Sequence, residues 1–331
     1  MEQLRQLYIQ WSGKEPAEVK LMAGAGSNRA YYRFFSEDGK TVVGVVGTSV
    51  DENKAFIYLS AHFRAQQQPV PEVLAVSEDG MRYLQIDLGG RSLFDALSEG
   101  RSGGGTYNED EIVLLRRTIR SLPGIQIKGA EGLDFMQCYP QAEMDETTVS
   151  FDLNYFKYCF LKLAGADFSE QALEDDFVRL TDALVQEPAD SFMFRDFQSR
   201  NIMVRAGEVW FIDYQGGRQG ALPYDVASLL YDAIVVIPDE QREELLDGYI
   251  CGLQAYRTVE PGLFRHVFYR FVLVRLLQAM GAFGLRGLYE RKPHFIDSIQ
   301  PGLHSIDRLF QSGRLDADYA EIRRVCRQLL E

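Results

Sequence analysis

The spacing of apolar and polar residues predicts a strand-rich first part of the chain. A short helical pattern at 2–11 is followed by aromatic and β-branched runs at 31–35 and 41–46, which flank a turn at Glu37-Asp38-Gly39. A helical pattern at 53–66 comes next. Two further apolar runs, at 70–74 and 82–88, surround a second turn at Glu78-Asp79-Gly80. The first 90 residues therefore predict two hairpins with one or two helices.

Beyond Gly89-Gly90 the apolar residues recur mainly at helical spacing. Two short apolar runs, 202–204 and 209–212, predict one inserted hairpin, and the glycine-rich stretch 100–108 predicts a mobile loop. We expect an α+β fold with two domains, a β-rich lobe over 1–90 and a larger helical lobe over 91–331. The predicted helices of the larger lobe are 91–98, 109–121, 151–164, 169–186, 224–236, 239–256, 261–289 and 313–330.

Charge, metal-ligand spacing and hydropathy argue against several classes of ligand and location. The 331 residues include 48 acidic and 35 basic side chains, for a formal charge of −13, which argues against nucleic acid as a partner. The four cysteines and four histidines show no metal-ligand spacing. The first residues lack the pattern of a signal peptide, and the apolar stretch 271–285 is short and interrupted by Arg275 and Gln278. We therefore expect a cytoplasmic protein without a membrane partner.

One polar motif carries a chemical signal. Asp196 is followed five residues later by Asn201, then by the predicted hairpin, and then by Asp213 directly after an apolar run. Phosphoryl transfer from a nucleotide uses these parts in this order, with one carboxylate for the acceptor hydroxyl and an amide and a carboxylate for the metal ion. Magnesium favours such oxygen ligands. The motif therefore predicts a phosphotransferase site.

This motif resembles that of the aminoglycoside phosphotransferase and choline kinase-like family, which has a two-lobed protein-kinase-like fold. The bacterial kinases that phosphorylate the anomeric hydroxyl of N-acetylmuramate or N-acetylglucosamine are the most similar branch. The resemblance extends over most of the chain and includes the glycine turn and aromatic strand at 23–33, the segment 70–74 with Asp87-Leu88-Gly89, the segment 220–227, and Gly281-Ala282-Phe283 in a late helix.

The resemblance implies ATP and Mg²⁺ as cofactors and assigns a role to each site residue. Asp196 would be the catalytic carboxylate, and Asn201 and Asp213 the metal ligands. Asp225 would have a structural role, holding the catalytic loop through its backbone amides. The implied nucleotide-binding residues are Gly24, Gly26, Ser27, Asn28 and Arg29 around the glycine turn, and the backbone groups of Ile86, Asp87 and Leu88 in the hinge.

The chain departs from the family pattern at two positions. Phe194 stands where the family loop usually begins with His, a scaffold position that an aromatic residue should fill. The third strand, 41–46, contains no lysine to pair with the nucleotide phosphates. We therefore hypothesise that Arg29 or Arg33 supplies the missing positive charge. Arg270 and Arg275 are interpreted as solvated or paired charges, with a place in the acceptor site as the alternative.

The expected function is transfer of the ATP γ-phosphate to a hydroxyl of a small molecule, an amino sugar by resemblance. Aminoglycoside or choline-like acceptors remain open, as does a nucleotide-binding pseudokinase that acts by interaction. The missing strand lysine favours the pseudokinase, whereas the presence of Asp196, Asn201 and Asp213 disfavours it. The sequence does not indicate an oligomeric state.

Overall fold

The computed structural model describes residues 1–22 and 29–331. The first lobe is a five-stranded antiparallel sheet in the order β1-β2-β3-β5-β4, with one helix on each face. Its elements are α1 (Glu2–Ser12), β1 (Glu18–Leu21), β2 (Ala30–Phe35), β3 (Thr41–Val46), α2 (Val50–Ala65), β4 (Val73–Val76) and β5 (Arg82–Ile86).

Alternation along β3 explains why both faces of this sheet are covered. Val42 packs with Phe34 and Leu84 beneath α1, while Val43 and Val45 face the main core on the α2 side. Gly44 is on the same face as Val42, toward α1, and a Cβ there would stand 2.7 Å from the Phe34 ring and 2.9 Å from Leu4 of α1. Glycine is therefore required for α1 to lie this close to the sheet.

The second lobe is mainly helical and carries two small hairpin-like pairs of strands. β6 (Ser191–Met193) pairs with β9 (Arg218–Gly220), and β7 (Ile202–Arg205) pairs with β8 (Glu208–Phe211), all antiparallel. π-Helical segments at Lys157–Leu161 and Gly284–Tyr289 continue α6 and α10. The helices are α3 (Leu93–Ala96), α4 (Ser98–Ser102), α5 (Glu109–Ile127), α6 (Glu146–Phe156), α7 (Glu170–Val185), α8 (Pro223–Leu230), α9 (Asp239–Leu253), α10 (Pro261–Phe283), α11 (Pro293–Ile296), α12 (Ile299–Gln311) and α13 (Ala320–Gln328).

The long helix α10 forms the centre of this lobe and packs against α6, α8 and α12. Within the described residues, one helical segment, Pro261–Tyr289, is long and apolar enough to cross a membrane, and 61% of its apolar window is buried inside the protein. The helix is longer than the stretch 271–285 that the sequence singled out. The expectation that this region is too short to cross a membrane was therefore wrong. Its position at the centre of the lobe explains its apolar composition.

The predicted α+β architecture with a β lobe and a helical lobe is confirmed, whereas several boundaries were wrong. The stretch 100–108 is not an open loop: α4 covers its beginning, and Tyr107 is buried with its hydroxyl donating to the Val236 carbonyl at 3.0 Å. The helix predicted at 224–236 ends at Leu230, and the one predicted at 313–330 is confined to α13. The lobe boundary near residue 90 stays a prediction.

Candidate active site

The predicted catalytic loop, 194–201, connects β6 to β7 and is supported by an aromatic cluster. The Phe194 ring lies 5.2 Å from Phe192, 5.0 Å from Phe197 and 5.7 Å from Phe211, measured between ring centroids. Its side chain is fully buried in this cluster. An apolar ring thus replaces histidine at the start of the loop by packing, as the sequence led us to expect.

Asp225 holds the backbone of this loop by hydrogen bonds. Its Oδ2 accepts hydrogen bonds from the Phe194 amide at 2.9 Å and from Gln126 Nε2 at 3.1 Å, and its Oδ1 accepts from the Arg195 amide at 3.0 Å. Complete burial raises the pKa of Asp225 to about 7, against the lowering effect of these donors. The structural role that the sequence suggested for Asp225 agrees with these contacts.

Arg195, directly before the candidate catalytic residue, has a left-handed backbone with φ of 72°. Its guanidinium forms two hydrogen bonds with Asp152 of α6, at 2.6 and 3.1 Å. A non-glycine residue in this region costs about 1–3 kcal/mol and persists where the surroundings hold it. Asp225 and Asp152 therefore hold a strained peptide that sets the direction of the next side chain.

That next side chain, Asp196, opens to solvent on one side, with 51% of its surface exposed. Its Oδ1 accepts a hydrogen bond from Arg275 Nη2 at 3.2 Å. Enclosure by protein on its other sides, with the carboxylates of Asp213 and Asp232 nearby, raises the pKa of Asp196, while Arg275 lowers it. The site thus presents an accessible carboxyl group held by a buried arginine.

The two predicted metal ligands lie next to this carboxyl group. Asn201 Nδ2 donates to the Asp196 carbonyl at 2.9 Å, and the Asn201 carbonyl accepts from the Ile212 amide at 3.0 Å. Ile212 immediately precedes Asp213, so the β7–β8 hairpin brings Asn201 and Asp213 together. With its amide nitrogen engaged, Asn201 keeps its side-chain oxygen as a ligand. These oxygens fit a magnesium ion better than a softer metal.

The next two residues in the chain, Tyr214 and Gln215, hold Asp213 in place. Sequence reasoning assigned a role to neither. Gln215 Nε2 donates to Asp213 Oδ1 at 2.6 Å. The buried Tyr214 ring stacks on Phe56 of α2 with centroids 5.0 Å apart, and its hydroxyl shares a 2.6 Å hydrogen bond with Ser60 of the same helix. The only available signal was their adjacency to Asp213. These contacts connect the segment that contains Asp213 to the first lobe.

In the predicted hinge, the Asp87 side chain is not free for a nucleotide. Arg33 binds both of its oxygens, at 2.6 and 3.0 Å, and also donates to the Gly89 carbonyl at 3.0 Å. Arg33 therefore stabilises the hinge, which argues against its suggested role at the phosphates. The Ile86 amide donates to the Glu72 carbonyl, whereas the Leu88 amide donates no hydrogen bond within the described part of the chain.

The other suggested cation, Arg29, lies beside helix α2. Its Nη2 is 3.1 Å from Glu52 Oε1, and its side chain is buried. Burial opposes its charge, but Tyr83, Tyr31 and Glu52 together raise the pKa of Arg29. The four other predicted residues of the glycine turn, Gly24, Gly26, Ser27 and Asn28, lie outside the described residues.

The two late-helix arginines have different surroundings. Arg270 contacts Asp316 and Glu187, as expected for a paired surface charge. Arg275 is 7% exposed and contacts Asp196, so its interpretation as an ordinary paired or solvated charge was incomplete. Sequence patterns do not distinguish the two arginines, because contact with Asp196 depends on how α10 is rotated in the lobe.

The chain is similar in sequence to known phosphotransferases. A family model described as the phosphotransferase enzyme family matches residues 18–261. The N-acetylmuramate/N-acetylglucosamine kinase of Pseudomonas aeruginosa is 25% identical over 243 residues, which are 72% of this chain and 67% of that protein. The enzyme of the same name from Neisseria meningitidis serogroup B is 27% identical over 258 residues, 77% of this chain and 73% of that protein.

A solved structure supports the fold independently of sequence. Choline kinase from Cryptosporidium parvum Iowa II superposes with a TM-score of 0.63 at 12% identity, covering 98% of each chain. This likeness confirms the two-lobed protein-kinase-like fold. The chain therefore belongs to the phosphotransferase enzyme family, and it is a kinase-type phosphotransferase with an alcohol group as acceptor.

Proposed function

We propose that this protein transfers the γ-phosphate of ATP to a hydroxyl group of an amino sugar, at the anomeric carbon of an N-acetylmuramate-like or N-acetylglucosamine-like acceptor. The observation that carries the proposal is the joint placement of three residues. Asn201 bonds the backbone of Asp196 through its side chain and the residue before Asp213 through its own backbone. This is the arrangement that phosphoryl transfer requires.

Asp196 receives the proton of the acceptor hydroxyl. As the hydroxyl oxygen forms its bond to the γ-phosphorus, the bond from that phosphorus to the bridging oxygen of ADP breaks, and the proton moves to the free Asp196 carboxylate oxygen. The left-handed Arg195 peptide and the Asp225 contacts hold this carboxyl group in place. Positioning of this kind lowers the barrier more than proton transfer alone.

Asn201 and Asp213 would hold the magnesium ion, which neutralises phosphate charge when bound. Gln215 engages one Asp213 oxygen at 2.6 Å, and the other oxygen, Oδ2, would bind the ion. Tyr214 and Ser60 keep this segment against α2. The chain's own contribution is therefore a rigid pair of oxygen ligands beside Asp196.

On the nucleotide side, the Leu88 amide is available to the adenine, with the backbone of Ile86 and Asp87 as its neighbours. Arg29, paired with Glu52, supplies positive charge near the glycine turn in place of a strand lysine. We expect Arg29→Ala to weaken ATP binding about tenfold or more, measured by calorimetry, because charge-assisted contacts contribute about 1.5–3 kcal/mol. Unchanged ATP affinity in a folded variant would contradict this role.

The amino-sugar acceptor is supported by the two similar kinases that carry that substrate in their names. We would test it by incubating the protein with ATP, Mg²⁺ and a panel of amino sugars, aminoglycosides and choline-like alcohols, and by following ADP release and product mass. We expect an amino sugar to give the highest kcat/KM. A preference for another class would replace this acceptor, and ATP binding without transfer to any acceptor would favour a pseudokinase.

Asp196→Asn is the matched control, since it preserves shape and removes the proton acceptor. We expect it to reduce product formation by at least about 100-fold while the melting temperature changes little. Turnover at the wild-type rate would remove Asp196 from the proposed mechanism.

A further inference from the structure

A buried arginine in the middle of the most apolar helix contacts the candidate catalytic carboxyl group. Arg275 lies on α10 between Val274 and Leu276, both of which are buried. Its own side chain is almost fully enclosed. An arginine in such surroundings is costly unless its charge and its donors are matched.

The donors of Arg275 are directed to three different side chains. Nε donates to Ser228 Oγ on α8 at 3.0 Å, Nη1 donates to Gln278 Oε1 one turn further along α10, and Nη2 donates to Asp196 Oδ1 at 3.2 Å. Within the described part of the chain, Asp196 is the one carboxylate that forms an ion pair with it. The planar guanidinium is therefore fixed at two corners and directs the third at Asp196.

We propose that Arg275 is the positioning residue for the catalytic carboxylate. It holds Oδ1 of Asp196 so that Oδ2 faces the acceptor hydroxyl. The other side of Asp196 is half open to solvent, and Asn201 Nδ2 lies at 3.5 Å from Oδ2, which is too long for a strong hydrogen bond. Arg275 is thus the main side-chain contact that selects one rotamer of Asp196.

This assignment rests on the proposed function, because a carboxylate needs a fixed rotamer here only if it receives a proton from an acceptor. The alternative is that Arg275 contributes only to packing, by joining α10 to α8 through Ser228. The two interpretations predict different effects of a substitution. Loss of packing lowers stability, whereas loss of positioning lowers kcat without changing nucleotide binding.

The test compares variants of the full-length protein. Arg275→Met keeps the apolar stem and removes the donors, and we expect kcat to fall about 100-fold while KM for ATP stays within about threefold. Arg275→Lys should recover part of the rate, since an ammonium reaches Asp196 but cannot hold Ser228 and Gln278 as well. Arg270→Met is the matched control on the same helix, and it should retain the wild-type kcat because Arg270 contacts Asp316 and Glu187 instead.

Chemical rescue separates positioning from folding. Arg275→Ala leaves space for a guanidinium ion, and we expect millimolar guanidinium chloride, well below denaturing concentrations, to raise its kcat several-fold and to leave Arg270→Met unaffected. An Arg275→Met variant with kcat within twofold of the wild type would overturn the assignment. Should that variant fail to fold, a lack of rescue of Arg275→Ala together with full activity of Arg275→Lys would overturn it. A wild-type protein that phosphorylates no acceptor overturns the proposed function instead.

Discussion

Asp225→Asn tests whether the loop backbone is set by one buried carboxylate. The wild-type side chain accepts hydrogen bonds from the Phe194 and Arg195 amides, one on each oxygen, at 2.9 and 3.0 Å. Asparagine has one acceptor oxygen, so its NH₂ group must face one of these N–H groups. A buried amide left without an acceptor costs about 1–3 kcal/mol.

We expect two consequences. The melting temperature should fall by a few degrees at most, because about 1 kcal/mol shifts it by about 2–4 °C in chains of roughly 150–250 residues and by less in a longer chain. The kcat should fall between about tenfold and 100-fold, because the released peptide directly precedes Asp196 and small misplacements of a catalytic group are costly. Thermal unfolding and steady-state kinetics on the same preparation measure both effects.

Asp176→Asn is the control for this experiment. Asp176 is also buried, and its Oδ2 accepts from the Glu321 and Ile322 amides at 2.8 and 3.1 Å, at the start of α13. Because both amides bond the same oxygen, an asparagine carbonyl can keep them, so the variant loses a buried carboxylate at α13 and should leave kcat unchanged. If Asp225→Asn lowered the melting temperature but kept the wild-type kcat, the argument that Asp225 positions the catalytic loop would be refuted.

Three further outcomes follow from buried contacts. Folding raises the pKa of Asp225 to about 7, above its unfolded value of about 4. The stability that this group contributes is therefore present in acid and is lost as the pH rises from about 4 through about 7. The melting temperature should decline over this interval, and less steeply in Asp225→Asn. Tyr214→Phe removes the hydrogen bond to Ser60 and keeps the stacked ring, so chemical denaturation should show a loss of about 1 kcal/mol. Gly284→Ala places a Cβ against the Cys159 carbonyl and should destabilise the protein, whereas Gly248→Ala in α9, with its nearest atom at 3.9 Å, should stabilise it by about 0.5–1 kcal/mol; equal effects would contradict this packing.

The proximity of Asp196, Asn201 and Asp213 could be predicted from the sequence because all three lie within one loop and one hairpin. Short strands and turns have local signatures, so the spacing of these residues along the chain already indicates their proximity. The structure adds the hydrogen bonds that join Asn201 to the Asp196 carbonyl and to the Ile212 amide, next to Asp213. The glycine turn remains a prediction, since it lies outside the described residues.

The residues that orient this motif could not be found in the same way. Arg275 is 79 positions from Asp196, and Arg33 is 54 positions from Asp87. Such contacts depend on the rotation of α10 and on strand register, which composition and periodicity do not define. For the same reason the stretch 100–108 was misread, because Tyr107 is buried against the distant Val236 carbonyl.

The proposed phosphoryl transfer from ATP to an anomeric hydroxyl at Asp196 can be measured by ³¹P NMR of the product formed with ATP, Mg²⁺ and N-acetylglucosamine, combined with a reducing-sugar assay. We predict a sugar phosphate at the anomeric carbon, with loss of the reducing end in step with ADP formation, and no product with Asp196→Asn. A phosphorylated sugar that keeps its reducing end, or equal product from Asp196→Asn, would contradict the account.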